Sequence, residues 1–215
     1  MSSFPHGVLA RRGRGLCALF TLIMALSACG HVPLSSMTKL SKLDIQTTDP
    51  AALRLAAVLP DTIHIPAGSA RMDLSITNTE TGEILLSEQI PLRESGSKAE
   101  KAELSGELSD GKQLLIFALA DEDLAYFQSF QEHIRAGSGQ QRKTHEGTLS
   151  LHVTGCAIKD PGPAPIPITT FLKTSELGGF VTLTRNYDLT DALKHADPGS
   201  AGRLDKCDGR QIPPA

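Results

Sequence analysis

Met72-Asp73-Leu74-Ser75-Ile76-Thr77 alternates apolar and polar side chains, the period-two pattern that gives a strand one buried and one wet face. Asn78 to Glu83, with Gly82 near its end, turns the chain, and Ile84 to Leu92 runs back against it. This β-hairpin is the clearest element of the sequence, and a β-rich domain can be read outward from it.

Upstream, Leu53 to Leu59 ends at Pro60-Asp61, and Ile63-His64-Ile65-Pro66 follows, which reads as strand, turn and strand. A helix capped at Thr48-Asp49-Pro50 and running through Leu59 is the rival; the strand is preferred. Downstream, residues 93–111 are charged and predict a loop carrying a solvated turn of helix at Lys98 to Glu103. Leu114 to Leu119 is apolar on both parities, as in a central strand covered on both faces. Asp121-Glu122-Asp123 places negative charge where a helix N-terminus favours it, and Leu124, Phe127, Phe130 and Ile134 continue a helical spacing to about Ala136. The segment 138–143 is a polar loop.

Strand periodicity returns at Leu149, Leu151 and Val153. Cys156 falls on the outward parity, so either Gly155 marks a bulge that re-aims it or the side chain lies on the outer surface. Pro161, Pro163, Pro165 and Pro167 predict an extended crossover. Ile168 to Thr174 and Phe180 to Tyr187 form a second hairpin about Glu176-Leu177-Gly178-Gly179, and Asp188 caps a short helix that ends before Pro198. Seven or eight strands with one inserted α-helix predict a mainly β fold, a two-layer β-sandwich that is Ig-like or transthyretin-like, over residues 49–195. Residues 196–215 form a C-terminal tail.

The opening residues have a different character. Arg11, Arg12 and Arg14 precede an apolar run from Leu16 to Leu26, which leads into Leu26-Ser27-Ala28-Cys29. The run covers eleven positions, while a membrane-spanning helix needs about 20. The segment therefore reads as an export signal. With Leu at −3, small residues at −2 and −1 and cysteine at +1, it resembles the lipobox of a bacterial lipoprotein precursor. The residues after the arginine pair, Gly13-Arg14-Gly15, lack the apolar pair of a twin-arginine signal, so the general export route is expected.

The resemblance covers residues 1–30 and implies removal of residues 1–28, lipidation of Cys29 and a tether over residues 29–48. Gly30 after the cysteine implies an outer-membrane location facing the periplasm. A triacylated cysteine meets the need for two or more chains in stable anchoring. Leu34, Met37, Leu40 and Leu43 recur every third residue, so part of the tether docks on the domain or forms a short helix; Leu43 and Ile45 equally suit an edge strand.

Without its leader the chain keeps 24 acidic residues against 18 basic ones. That acidity disfavours nucleic acid as a partner. Aromatic residues make up 4% and tryptophan is absent, which argues against a carbohydrate platform and for an aliphatic core. Loss of Cys17 and lipidation of Cys29 leave Cys156 and Cys207, which predict a disulfide in an oxidising compartment.

Chemical motifs are few. The histidines His31, His64, His133, His145, His152 and His195 show no paired metal-ligand spacing, and no nucleophile elbow or phosphate loop is present. Asp121, Glu122 and Asp123 lack the spacing of a calcium loop. The double glycine at Gly178-Gly179 suits either a tight turn, which is favoured, or an exposed recognition hairpin. The proline run is read as a crossover in preference to a ligand for a partner's aromatic groove.

The leading expectation is a non-catalytic binding or assembly module, held at the membrane by its lipid, without a cofactor or metal, and partnered by another envelope protein. One alternative is a periplasmic hydrolase or metal-dependent enzyme built from His145, His152, Glu146 and Asp123. The other is a carrier of an apolar ligand or lipid, which requires a cavity between the sheets.

Overall fold

The computed structural model describes residues 33–136, 139, 144–160, 162, 164–196 and 204–208. The expected leader, Cys29, Ser138, residues 140–143, Pro161, Pro163 and most of the tail lie outside the described residues. The strands are β1 (Arg54–Pro60), β2 (Ile63–His64), β3 (Ala70–Asn78), β4 (Ile84–Ser95), β5 (Lys112–Leu119), β6 (His145–Val153), β7 (Cys156–Ala157), β8 (Pro167–Lys173) and β9 (Val181–Asp188). The helices are α1 (Leu34–Leu40), α2 (Lys98–Glu103), α3 (Leu124–Ala136) and α4 (Leu189–Ala196).

The chain is mainly β. Seven strands join in the order β6-β3-β4-β5-β1-β8-β9, every pair antiparallel, and β2 and β7 make a separate two-stranded ribbon. The hydrogen bonds thus make one large sheet where a two-layer sandwich was expected, and four α-helices stand among the described residues, where one inserted helix and a short helix after Asp188 were expected.

The expected hairpin forms as β3 and β4, in the register Met72↔Ile90 and Ile76↔Leu86. Its turn contains Gly82 at φ 72°, a conformation that glycine adopts without a Cβ penalty. β4 pairs with β3 along Ile84 to Leu92, and with β5 only along Leu92 to Ser95. The strand therefore passes from one half of the sheet to the other at Leu92, as strands do at the corners of closed β structures. β6 is one edge of the sheet and β8 lies next to the other, yet Leu149 and Leu151 of β6 line one cavity with Leu172 of β8. The sheet curls until its ends face each other.

Inside the curl, Met72, Leu74, Ile90, Phe117 and Leu55 meet Phe127 and Phe130 of α3 in one core. On the convex side, Ala56, Val58, Ile116 and Phe171 pack with Leu104. β1 and β5 are therefore buried on both faces, which is why Leu114 to Leu119 carries apolar residues on both parities. The rival helix through Leu59 is confined to a 3₁₀ turn at Pro50–Ala52, where Asp49 accepts the Ala51 N–H at 2.9 Å.

Residues 93–111 are more ordered than a solvated loop. β4 continues to Ser95, and α2 begins with a capping box in which Ser97 and Glu100 satisfy each other's backbone N–H. Three carboxylates after that cap tie the segment to the sheet. Glu100 lies 3.0 Å from Arg54, Glu103 2.9 Å from Lys173, and Glu107 accepts two bonds from Arg185. The Lys173 hydrogen bond, joined by one from the Phe180 N–H, holds the Glu103 carboxyl below the usual range. The Arg185 hydrogen bonds do the same for Glu107.

Part of the segment read as a tether docks on the domain. α1 packs against the edge strand β9. Further on, the buried Gln131 of α3 donates from Nε2 to the carbonyls of Ile45 and Thr48 at 2.8 and 2.7 Å. Gln131→Leu preserves bulk but removes both donors and leaves a buried carbonyl unpaired. We expect it to destabilise the protein by about 1–3 kcal/mol in urea unfolding and to speed proteolysis within residues 41–49.

Candidate functional site

The curl leaves a large cavity at the end of the sheet away from α3. Along β1 its wall is Leu55, Ala57 and Leu59; along β8 it is Ile168 and Thr170. Ala57 and Thr170 are cross-strand partners, so two short side chains sit side by side in rows otherwise filled by leucine and isoleucine. Val153 at the end of β6 and Ile63 and Ile65 form the facing wall, and Leu189 and Leu193 of α4 close one side. The volume is about 870 Å³, within the roughly 300–1,000 Å³ typical of ligand sites. The Thr170 and Thr184 hydroxyls lie 2.8 Å apart and hydrogen-bond each other, which offsets the polarity of that wall. Asp205 and Lys206 are the charged lining residues, and both are exposed.

Two devices hold the less regular walls. Asp188 fixes α4: its Oδ1 accepts the Thr190 and Ile166 N–H groups, both at 3.0 Å, and Oδ2 accepts the Thr190 hydroxyl at 2.8 Å. This is the cap expected from the sequence, and it also ties the helix to the crossover before β8. The second device is the Cys156–Cys207 disulfide. It clips residues 204–208 to the ribbon, where Ala157 donates to Asp205 at 2.8 Å and Cys207 donates to Ala157 at 3.0 Å. Leu204, Asp205 and Lys206 become cavity wall through that attachment.

Gly155 explains how Cys156 turns inward. The chain leaves β6 after Val153, and a Cβ at Gly155 would sit 2.8 Å from Ile65 Cδ1 and 3.2 Å from the His64 carbonyl oxygen. The absence of a Cβ there favours the close approach of β2, and Cys156 is buried in the ribbon instead of lying on the outer surface.

The four residues of the alternative enzymatic site are not assembled. His152 Nε2 lies 3.2 Å from Asp73 Oδ2, and Arg71 Nε lies 3.0 Å from Asp73 Oδ1, an ion-pair group on the wet face of β3 and β6. His145 and Glu146 belong to the other end of β6, where His145 pairs with Asn78. Seven strand residues, roughly 23 Å at 3.3 Å per residue, separate the two histidines. Asp123 is buried in the 3₁₀ turn that leads into α3. Among the described residues, no three His, Cys, Asp or Glu side chains come together to hold a metal ion.

The double glycine is a turn under constraint. Gly178 has φ 67°, and a Cβ on Gly179 would approach Glu103 Oε1 to 2.8 Å. That oxygen accepts the Phe180 N–H at 2.9 Å, so the hairpin is clamped to α2. Ile166, within the proline run, is buried and leads directly into β8, as a crossover does.

No family model matches the chain, and no curated protein or solved structure matches it significantly. The cavity residues were not singled out by motif reading, because an apolar wall carries no motif. The available signal was small: Ala57 and Thr170 interrupt rows of large side chains on the core-facing parity.

Replacing both cysteines, Cys156→Ser with Cys207→Ser, opens a loop of 51 residues. We expect a loss of up to about 4 kcal/mol in unfolding free energy, with residues 204–208 becoming sensitive to protease under native conditions.

Proposed function

We propose that this chain is a non-catalytic, lipid-anchored envelope lipoprotein that binds an apolar ligand inside its curled sheet. The observation that carries the reading is the apolar cavity of about 870 Å³. Aliphatic walls on β1, β8 and α4 supply a non-directional attraction for apolar surface, and the hydroxyl pair of Thr170 and Thr184 imposes little polar demand. The lipobox-like segment ending at Cys29 supports anchoring outside the cytoplasm, on the outer membrane and facing the periplasm. The disulfide agrees with an oxidising compartment. The curl at Leu92 supports treating the domain as two facing layers in the manner of a sandwich.

A second reading, an envelope protein partner, draws on β4. Along Ile84 to Pro91 this strand pairs with β3 on one side, and β5 joins its other side only from Leu92. Ile84 is 65% exposed on that stretch. An unpaired edge with exposed apolar side chains suits the addition of a partner's strand.

Ala57→Phe places a ring in the middle of the large cavity. We expect it to weaken binding of an uncharged apolar fluorescent dye by about tenfold or more, equivalent to roughly 1.4 kcal/mol, while circular dichroism stays unchanged. Unaltered dye affinity in a folded variant would reject the cavity as the binding site. For the anchor, Cys29→Ser is expected to abolish acylation and to shift the processing and fractionation of the protein in cells. An unchanged acylation state and membrane fraction would reject the anchor.

A further inference from the structure

A second cavity, of about 240 Å³, lies against α3. The rows of inward-facing residues show where it stands relative to the first. Leu53, just before β1, lines the small cavity, and Leu55, Ala57 and Leu59 of β1 line the large one. Thr174, just after β8, and Leu172 line the small cavity, and Thr170 and Ile168 line the large one. On β6, Leu149 and Leu151 line the small cavity and Val153 lines the large one. The three rows give the same order, so the two cavities follow one another along a furrow on the inner face of the sheet. They abut at Leu55 and Leu172, cross-strand partners of which one lines each cavity.

From Leu53 to Leu59 is six residues, roughly 20 Å of strand at about 3.3 Å per residue. One leaflet of a bilayer's hydrocarbon core is about 15 Å deep, half of the full 30 Å. The furrow therefore has the length of an extended lipid chain. Its two ends differ in polarity. The inner end is bounded by the hydroxyls of Thr48, Thr148 and Thr174 and by Phe130, all uncharged. The outer end carries exposed Asp205 and Lys206.

We propose that the two cavities form a single track for one linear acyl chain of an amphiphile, with the chain's end toward α3 and the polar head at Asp205 and Lys206. The proposal rests on the apolar-ligand reading above and deepens it by naming the ligand class. Long, and uncharged at its inner end, the track matches a chain that inserts tail first and leaves its head in water.

The test uses the full chain carrying Cys29→Ser, so that any acyl chain detected is a non-covalent guest. Dye displacement is measured with saturated fatty acids of increasing length, and with lysophosphatidylcholines bearing the same chains, all below micelle-forming concentrations. Affinity is expected to rise by about fourfold per methylene, the equivalent of roughly 0.8 kcal/mol, until the track is filled, and then to level off. Leu149→Trp, which fills the inner cavity from the half-buried wall of β6, is expected to bring that plateau to a shorter chain without changing the affinity of short ones.

Tighter binding in the fatty-acid arm places a carboxylate at Lys206, and tighter binding in the lysophospholipid arm places a phosphodiester there; either supports the track. Dye binding with no dependence on chain length overturns the proposal and leaves the apolar-ligand reading intact. The proposal is likewise overturned by a folded Leu149→Trp protein whose plateau does not move; if that variant does not fold, the chain-length series of the parent protein decides. Absence of dye binding removes the reading beneath it.

Discussion

Leu92 is the residue through which β4 belongs to both halves of the sheet. Before it the strand bonds to β3, and after it to β5, so the main-chain direction has to swing between two sets of neighbours. Twisted strands accommodate such a swing by curling the sheet, and a curled sheet acquires an inside. The core, the position of α3 and the cavity all follow from that corner. A strand paired along its whole length on both sides would have left a flatter sheet with a single covered face.

The interior is filled unevenly. At one end α3 inserts Phe127 and Phe130, whose ring centres lie 6.4 Å apart, against β3, β4 and β6. At the other end α4, with Leu204 beside it, faces the short side chains of Ala57 and Thr170. Aromatic bulk at one end and small residues at the other leave space where the second set lies. The same end depends on constraints distant in sequence, the disulfide and the hydrogen bond from the Ile166 N–H to Asp188.

The convex side is covered by different means. Leu104 supplies apolar contact, and a file of carboxylates from Glu100 to Glu107 meets Arg54, Lys173 and Arg185 on β1, β8 and β9. The more exposed pairs, Glu103 with Lys173 and Glu107 with Arg185, are individually weak, about 0.2–1 kcal/mol each. Their role is positional: Glu103 joins α2 to the β8–β9 turn through both Lys173 and the Phe180 main chain. Gly179 is the residue that permits that approach.

Local pattern alone made the β3–β4 hairpin, the two-faced burial of β5, the helix that follows Asp121–Asp123 and the Asp188 cap legible, because each depends on residues within one or two turns of chain. Cysteine arithmetic likewise identified the Cys156–Cys207 pair. The strand order, the corner at Leu92, the clamp of Glu103 and the cavities lined by β1, β6 and β8 were decided by the tertiary structure. Alternation states which face of a strand is apolar, but it does not state which strand lies beside it or what faces it across the interior. A cavity is where side chains from distant segments fail to meet, and that is a property of their arrangement in space, which periodicity along the chain does not encode.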